Sequence, residues 1–189
     1  MTASTRSTAL LLIDMINTLD FDGGRALLKQ ALPAAQRIAR LKQRAAEAGM
    51  PVIYANDNYG QWRSDFRQVV ALCGRQDARG EPLVRILAPG PDDYFVLKPR
   101  HSAFHQTALS LLLQDLGVRR LILTGVAADN CVLATATDAR VHDFDLLVPA
   151  DCVASETRER TRRALAQLGD TLEADTRISS RITRAMLEA

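Results

Sequence analysis

The sequence predicts a three-layer α/β/α fold of the Rossmann-like kind, a mostly parallel sheet of about six strands with helices on both faces. Three observations predict it. Short apolar runs rich in branched residues alternate with helix-period segments from one end of the chain to the other. The runs are apolar throughout rather than at every second residue, as expected of strands buried on both faces of a parallel sheet. The 189 residues, 47% of them hydrophobic, suffice for a substantial core, so residues 1–189 are expected to form one domain.

The strands are expected at Thr8 to Ile13 (TALLLI), Val52 to Ala55 (VIYA), Tyr94 to Leu97 (YFVL), Arg120 to Thr124 (RLILT) and Phe144 to Val148 (FDLLV), with a weaker sixth near Leu172 to Ala174. Between the first two, Leu28, Leu32, Ala35, Ile38, Ala39 and Leu41 follow helical spacing, with Gly49 suited to a C-terminal stop and Pro33 tolerable only near a first turn. Leu109, Leu112, Leu113 and Leu116 form a cleaner stripe closed by Gly117. Cys131 to His142 and Ser155 to Leu168 read as two further helices and Ser179 to Glu188 as the last. The stretch from Asn58 to Pro91 is long for a βα connection, and is expected to hold a short helix and a covering loop. Strand, helix, strand repeated in this way implies right-handed crossovers. Such sheets bind ligands at the carboxyl ends of their strands, which is where chemistry is sought here.

Composition narrows the partners. The formal charge is only +2, and the arginines from Arg158 to Arg163 are accompanied by Glu156 and Glu159, the pattern of a solvated helix face rather than a nucleic-acid surface. The apolar run from Ala9 stops at Asp14, too short for a signal h-region or a membrane span, so a cytoplasmic protein with no membrane partner is expected. Cys73, Cys131 and Cys152 are odd in number and lack CxxC spacing, which argues against a disulfide framework and a cysteine-rich zinc site.

Three strand ends carry chemistry. Asp14 closes the first strand, where a carboxylate must be paired, hydrogen-bonded or raised in pKa; a raised pKa suits a proton shuttle, and a simple cap is the alternative. Lys98 closes the third, where it would lower the pKa of a neighbouring thiol and orient Asp14; alone it would read as a surface lysine. Cys131 follows the fourth strand after the turn Gly125-Val126-Ala127-Ala128, in the first turn of a helix. Free N–H groups and the helix dipole there favour thiolate and could receive an oxyanion, the alternative being a small packed cysteine. Acid, lysine and thiol at three strand ends of one sheet edge favour the functional reading of all three. Cys73 and Cys152 have no such partners and read as packed thiols.

These residues resemble the isochorismatase-like cysteine hydrolases, a family that includes nicotinamidases and N-carbamoylsarcosine amidases. The likeness rests on Leu12-Ile13-Asp14-Met15, on Lys98, on Thr124-Gly125-Val126-Ala127-Ala128-Asp129-Asn130-Cys131-Val132, on Thr135-Ala136-Thr137-Asp138-Ala139 and on Pro149-Ala150-Asp151-Cys152. It implies that Cys131 attacks a carbonyl carbon, that Asp14 moves the proton and that Lys98 fixes both electrostatically. It also implies a cis peptide between Val126 and Ala127, turning the Ala127 N–H toward the oxyanion beside that of Cys131. The implied reaction passes through a thioester that a water activated by Asp14 hydrolyses, with no cofactor.

The chain departs from the pattern in places. Metal-binding nicotinamidases carry Asp-x-His after the second strand, whereas Asn56-Asp57-Asn58-Tyr59 stands here and His101, His105 and His142 lie elsewhere, so no catalytic metal is expected. Asp57 is expected to organise its turn. Asn58, Tyr59, Trp62 and Phe104 are the candidate substrate-binding residues. Ile16 and Leu19 replace the Gln and Phe common in relatives. His101 is a candidate base, but a histidine on a connecting loop reads first as solvated, and the cysteine mechanism does not require it. The function expected is a metal-independent amidohydrolase of a small carboxamide, ureido or related substrate, forming a homo-oligomer, dimer or tetramer. The alternatives are vinyl-ether hydrolysis of the isochorismatase type and a non-catalytic or redox-responsive binding module.

Overall fold

The computed structural model describes residues 8–59 and 65–188. Its elements are β1 (Thr8–Ile13), α1 (Gly24–Glu47), β2 (Val52–Asp57), α2 (Phe66–Cys73), α3 (Glu81–Ile86), β3 (Tyr94–Lys98), α4 (Leu109–Asp115), β4 (Arg120–Val126), α5 (Leu133–Val141), β5 (Asp145–Leu147), β6 (Val153–Ala154), α6 (Arg158–Leu172) and α7 (Arg184–Glu188). A π-helical turn, Ala128–Val132, leads into α5, and a 3₁₀ turn, Ser179–Arg181, precedes α7.

The strands lie in the order β3-β2-β1-β4-β5, with β6 beside the end of β4, and every pairing is parallel. β1 is central, and all six of its residues are buried. Alternate side chains of a strand point to opposite faces. Leu10 and Leu12 accordingly join the core beneath α1, while Ala9, Leu11 and Ile13 join the core that includes Leu109, Leu113, Ala136 and Leu168 of the other helices. Two covered faces explain the continuous apolar run. α1 presents Leu27, Ala31, Ala35, Ile38 and Leu41 to the first core, at the spacing of one helical face. The three-layer α/β/α reading therefore holds.

Several boundaries differ from expectation for identifiable reasons. α1 begins at Gly24, which leaves Pro33 inside the helix rather than in its first turn. The carbonyl it cannot serve, that of Lys29, belongs to an exposed residue on the solvent face, so the lost bond is not left in the core. The sixth strand is not at Leu172 to Ala174, because α6 continues through Leu172 and Glu173 turns left-handed at φ 53° to end it. Only Asp175 then joins the sheet, accepting from Val148 N–H at 2.8 Å and donating to the Leu146 carbonyl at 2.9 Å. The sixth strand is the two-residue β6, too short to stand out as an apolar run. The α6 helix starts later than expected, where the Thr157 hydroxyl caps it by accepting from Arg160 N–H at 3.2 Å. The long connection after β2 holds two helices, the first capped by Asp65, whose side chain accepts from Gln68 N–H at 2.9 Å.

Gly125 sits where β4 meets β1, with φ +116°, and a Cβ there would lie 2.1 Å from the Ile13 carbonyl oxygen. Gly125→Ala is expected to cost about 3 kcal/mol or more through strain and displacement of β1, read as a lowered urea midpoint at unchanged m-value. A midpoint within error of the parent would contradict this packing.

Candidate active site

Three strand ends and one helical turn converge at the carboxyl edge of the sheet. Asp14 leaves β1 with φ 51°, and its N–H donates to the Ala55 carbonyl at 2.9 Å. Its Oδ1 accepts from Asp57 N–H at 2.8 Å, so β2 orients the carboxylate. Its Oδ2 lies 2.8 Å from Lys98 Nζ. Lys98 ends β3 in register with Asp57, and its side chain is fully buried. An ammonium offers three N–H donors. Those of Lys98 reach Asp14 Oδ2, the Arg100 carbonyl at 3.2 Å and Cys131 Sγ at 3.5 Å.

Cys131 lies in the π-helical turn after β4. There the Ala127 carbonyl accepts from Asn130 N–H at 3.0 Å and Val132 N–H at 3.2 Å. The Val126–Ala127 peptide is cis. The Asp14 carboxylate acts on the thiol electrostatically, raising its pKa.

The electrostatics follow from burial. Desolvation raises the pKa of Asp14 against the opposing pull of Lys98 and its hydrogen bonds. Burial lowers that of Lys98, but Asp14 and Cys131 outweigh it and the ammonium is held above its ordinary value. Burial, followed by the Asp14 carboxylate, pushes the Cys131 thiol up to about 12, against the pull of Lys98. Lys98 lowers the thiol pKa, as the sequence led one to expect, but burial and the Asp14 carboxylate outweigh it. The resting arrangement is an ion pair beside a neutral thiol.

A cavity of about 420 Å³ opens onto Asp14 and Cys131, and Ala127, Asn17, Asn130 and Tyr59 also border it. The Tyr59 hydroxyl accepts from Thr18 N–H and faces the Ile16 carbonyl, each at 3.3 Å, which pins the ring against the segment after β1. Asp57 organises the turn, its Oδ1 accepting from Tyr59 N–H at 2.5 Å. Asn58 does not border the cavity; it is buried, and its N–H donates to the Lys98 carbonyl at 3.3 Å. Phe104 is likewise no wall residue, because its ring stacks on His142 and packs against Phe144 in the core. Trp62 lies outside the described residues.

At the position where metal-binding relatives carry Asp-x-His, Asp57 is committed to its own turn and Tyr59 to the neighbouring backbone. Among the described residues, no three His, Cys, Asp or Glu side chains are grouped to hold a metal ion. The donor set does not fit a transition metal. Cys73 is buried beside the Tyr59 hydroxyl at 3.7 Å, and Cys152 is buried with its pKa raised to about 12 by desolvation and by Asp151.

Two features were not legible in the sequence. His101, expected to be merely solvated, borders the cavity with Nδ1 3.9 Å from Cys131 Sγ. Glu156 and Arg160, expected on a solvated face, border the cavity as well. Arg160 bridges Glu156 and Asp129, and the Ser155 hydroxyl donates to Asp129 Oδ1 at 2.6 Å. Burial raises the pKa of Asp129, but Ser155 and Arg160 outweigh it and hold the carboxyl below its ordinary value. The network ties the turn carrying Cys131 to α6 across a gap of about thirty residues, which local spacing cannot reveal.

Known proteins share this architecture. The Isochorismatase domain family matches residues 8–175. An uncharacterized isochorismatase family protein of Bacillus subtilis, YaaI, is 40% identical over 172 residues, spanning 91% of this chain and 94% of its own length. The ureidoacrylate amidohydrolase RutB of Methylorubrum extorquens is 29% identical over 170 residues, spanning 77% and 68%. The crystal structure of N-carbamoylsarcosine amidase from Thermoplasma acidophilum superposes with a TM-score of 0.73 at 26% identity, covering 93% of this chain and 98% of that one. The family match takes in β1 through the residue that follows α6 into the sheet, and the chain therefore belongs to the isochorismatase family of hydrolases.

Proposed function

We propose that this protein is a metal-independent cysteine hydrolase that cleaves a C–N bond of a small carboxamide or ureido compound through a thioester on Cys131. The observation that carries the reading is a single buried ammonium, Lys98, in contact with both a carboxylate at 2.8 Å and a thiol sulfur at 3.5 Å at the edge of a cavity. A lysine so placed neutralises Asp14 at rest and attracts negative charge developing on sulfur.

In this mechanism Asp14 accepts the thiol proton as Cys131 Sγ bonds to the carbonyl carbon. The tetrahedral oxyanion faces the backbone N–H groups of Ala127 and Cys131. The C–N bond then breaks, and Asp14 passes its proton to the departing ammonia or amine. Water attacks the resulting thioester and releases the acid. The elevated thiol pKa suits this order, because the proton leaves only when the attack requires it. Two relatives named for ureido or carbamoyl amide cleavage support the choice of substrate class. Vinyl-ether hydrolysis needs no thiol, so the contact between Lys98 and Cys131 favours amide chemistry.

Ammonia release from a panel of small amides and ureido compounds tests the proposal, with Cys131→Ala as the control. Release that survives in Cys131→Ala would end the cysteine reading. The acid limb of kcat/KM is expected above the ordinary carboxylate range, activity falling as pH drops through the raised Asp14 pKa and protonates the base.

Asp14→Asn makes a sharper prediction. It removes the anion that raises the thiol pKa and leaves the Lys98 cation that lowers it. Iodoacetamide is expected to alkylate Cys131 faster at neutral pH in this variant, with the inflection falling below about 12, while hydrolysis is lost. Slower or unchanged alkylation would contradict the arrangement. The proposal extends to a homo-oligomer in the cytoplasm, and light scattering of the purified protein checks the oligomeric state. Among the described residues, no helix is long and apolar enough to cross a membrane.

A further inference from the structure

Ala127 and Cys131, whose N–H groups face the oxyanion in the mechanism above, flank a charged residue that does not border the cavity. Asp129 lies between them in the π-helical turn and joins it to the segment after β6 by three hydrogen bonds. Its N–H donates to Ser155 Oγ at 3.3 Å, the Ser155 hydroxyl donates to its Oδ1 at 2.6 Å, and Arg160 Nε donates to its Oδ2 at 2.5 Å. The two holders are themselves held. Ser155 is fully buried, and its N–H donates to the Thr161 hydroxyl at 2.9 Å. Arg160 pairs with Glu156 as well as with Asp129. Just before Ser155, β6 is in register with Gly125 and Val126, the last residues of β4. The turn is thereby fixed at its start by the sheet and near its middle by the head of α6.

We propose that Asp129 is a positioning residue: held by Ser155 and Arg160, it fixes the turn so that the Ala127 and Cys131 N–H groups stay aimed at the developing oxyanion. This rests on the cysteine-hydrolase reading above. Hydrogen bonds weaken steeply with misalignment, and donors already in place where charge develops act far more strongly than donors that must reorganise. The main-chain bonds from Asn130 and Val132 both end on the Ala127 carbonyl, inside the turn. They shape the turn without tying it to α6. The Asp129 carboxylate supplies that tie, and as an ionised acceptor it does so with strong, directional bonds. Arg160 borders the cavity, so a change there would also report substrate contact. Asp129 and Ser155 do not border it, and the test is made on them.

Asp129→Ala removes both arms. The pair of Asp129 and Arg160 is partly exposed, at 22% and 39%, so its loss is expected to loosen the turn without unfolding the chain. With the amide that the parent protein turns over fastest, kcat is expected to fall on the order of 10²-fold while KM stays within about twofold, because transition-state donors are misplaced and ground-state binding is not. Asp129→Asn can offer its carbonyl to Arg160 and its amide N–H to Ser155 Oγ, and is expected to restore most of the lost rate. A merely structural aspartate would lower the melting temperature and leave the kcat of the folded enzyme unchanged, which would overturn the role. A raised KM at unchanged kcat would overturn it too, as would an Asp129→Asn variant no faster than Asp129→Ala. If Asp129→Ala does not fold, Ser155→Ala takes its place. It removes one arm and little volume, and its kcat is expected to fall about tenfold, the worth of one hydrogen bond, with an unchanged kcat overturning the role.

Hydrogen exchange read by mass spectrometry needs no substrate. The peptide spanning residues 127–133 is expected to exchange on the order of tenfold faster in the variant than in the parent, with β1 unchanged. Equal exchange would overturn the positioning even if kcat is lowered. Faster exchange in a protein whose parent turns over no amide would support the anchoring of the turn and count against the cysteine-hydrolase reading instead.

Discussion

Cys131→Ala is expected to reduce hydrolysis on the order of 10³-fold or more while leaving the protein folded. The size follows from the role proposed for sulfur: without it no covalent intermediate forms, and what remains is whatever the oxyanion donors and binding achieve with water. The modest effect on stability follows from the electrostatics. With its pKa raised to about 12, the thiol is neutral at neutral pH, so its removal takes no charge from the site and leaves the pair of Asp14 and Lys98 intact. Thermal melts and ammonia release measured on one preparation separate the two effects. A variant that melts like the parent and still hydrolyses would remove Cys131 from the chemistry. One that fails to fold is replaced by Cys131→Ser, which keeps the volume and the polar contact.

The second large effect belongs to Lys98 and is one of stability. Its ammonium is fully buried, and Asp14 is nearly so. Truncating one partner of a buried pair leaves the other charge uncompensated, at a cost of about 3 to 5 kcal/mol, whereas replacing both with neutral groups of similar shape is far less costly. Lys98→Met is therefore expected to lose about that much stability and all detectable hydrolysis. The double variant Asp14→Asn with Lys98→Met is expected to recover most of the stability and none of the activity. Urea unfolding of the four proteins gives the cycle directly. Additive losses would mean that the two side chains do not depend on each other, against the 2.8 Å contact.

The two variants fail for different reasons, and that difference guards the mechanism. Cys131→Ala loses chemistry at intact stability; Lys98→Met loses both. Asp14→Asn loses hydrolysis but gains thiol reactivity. A merely structural cluster would produce none of these contrasts.

The strand ends were legible because the apolar runs of a doubly covered parallel sheet are local signals. Ala9 to Ile13 reads as buried from neighbouring residues alone, and its end at Asp14 is marked by a change of chemistry. The three residues proposed for catalysis could thus be named one by one. Boundaries governed by distant partners were less accessible. β6 exists because Val153 and Ala154 lie against Gly125 and Val126, and two residues carry no periodicity of their own. The length of α1 was hidden by Pro33, whose cost depends on which face meets water.

Around the cavity the division is sharper. Phe104, Asn58 and His101 are polar or aromatic residues close in sequence to site residues, and proximity along the chain suggested pocket walls for the first two and solvent for the third. The fold sends Phe104 into the core against Phe144, gives the Asn58 backbone to Lys98, and brings His101 to the sulfur. The state of the thiol was decided in the same way. Residue types alone favoured thiolate, because a cysteine near a lysine and a helix start is stabilised as an anion. Burial and the facing Asp14 carboxylate reverse that preference. By itself the sequence determined which groups stand at the sheet edge, since strand periodicity is written in adjacent residues. Only the tertiary structure decided their distances, their burial and hence their charges, because desolvation and Coulomb interactions depend on what surrounds a group in space.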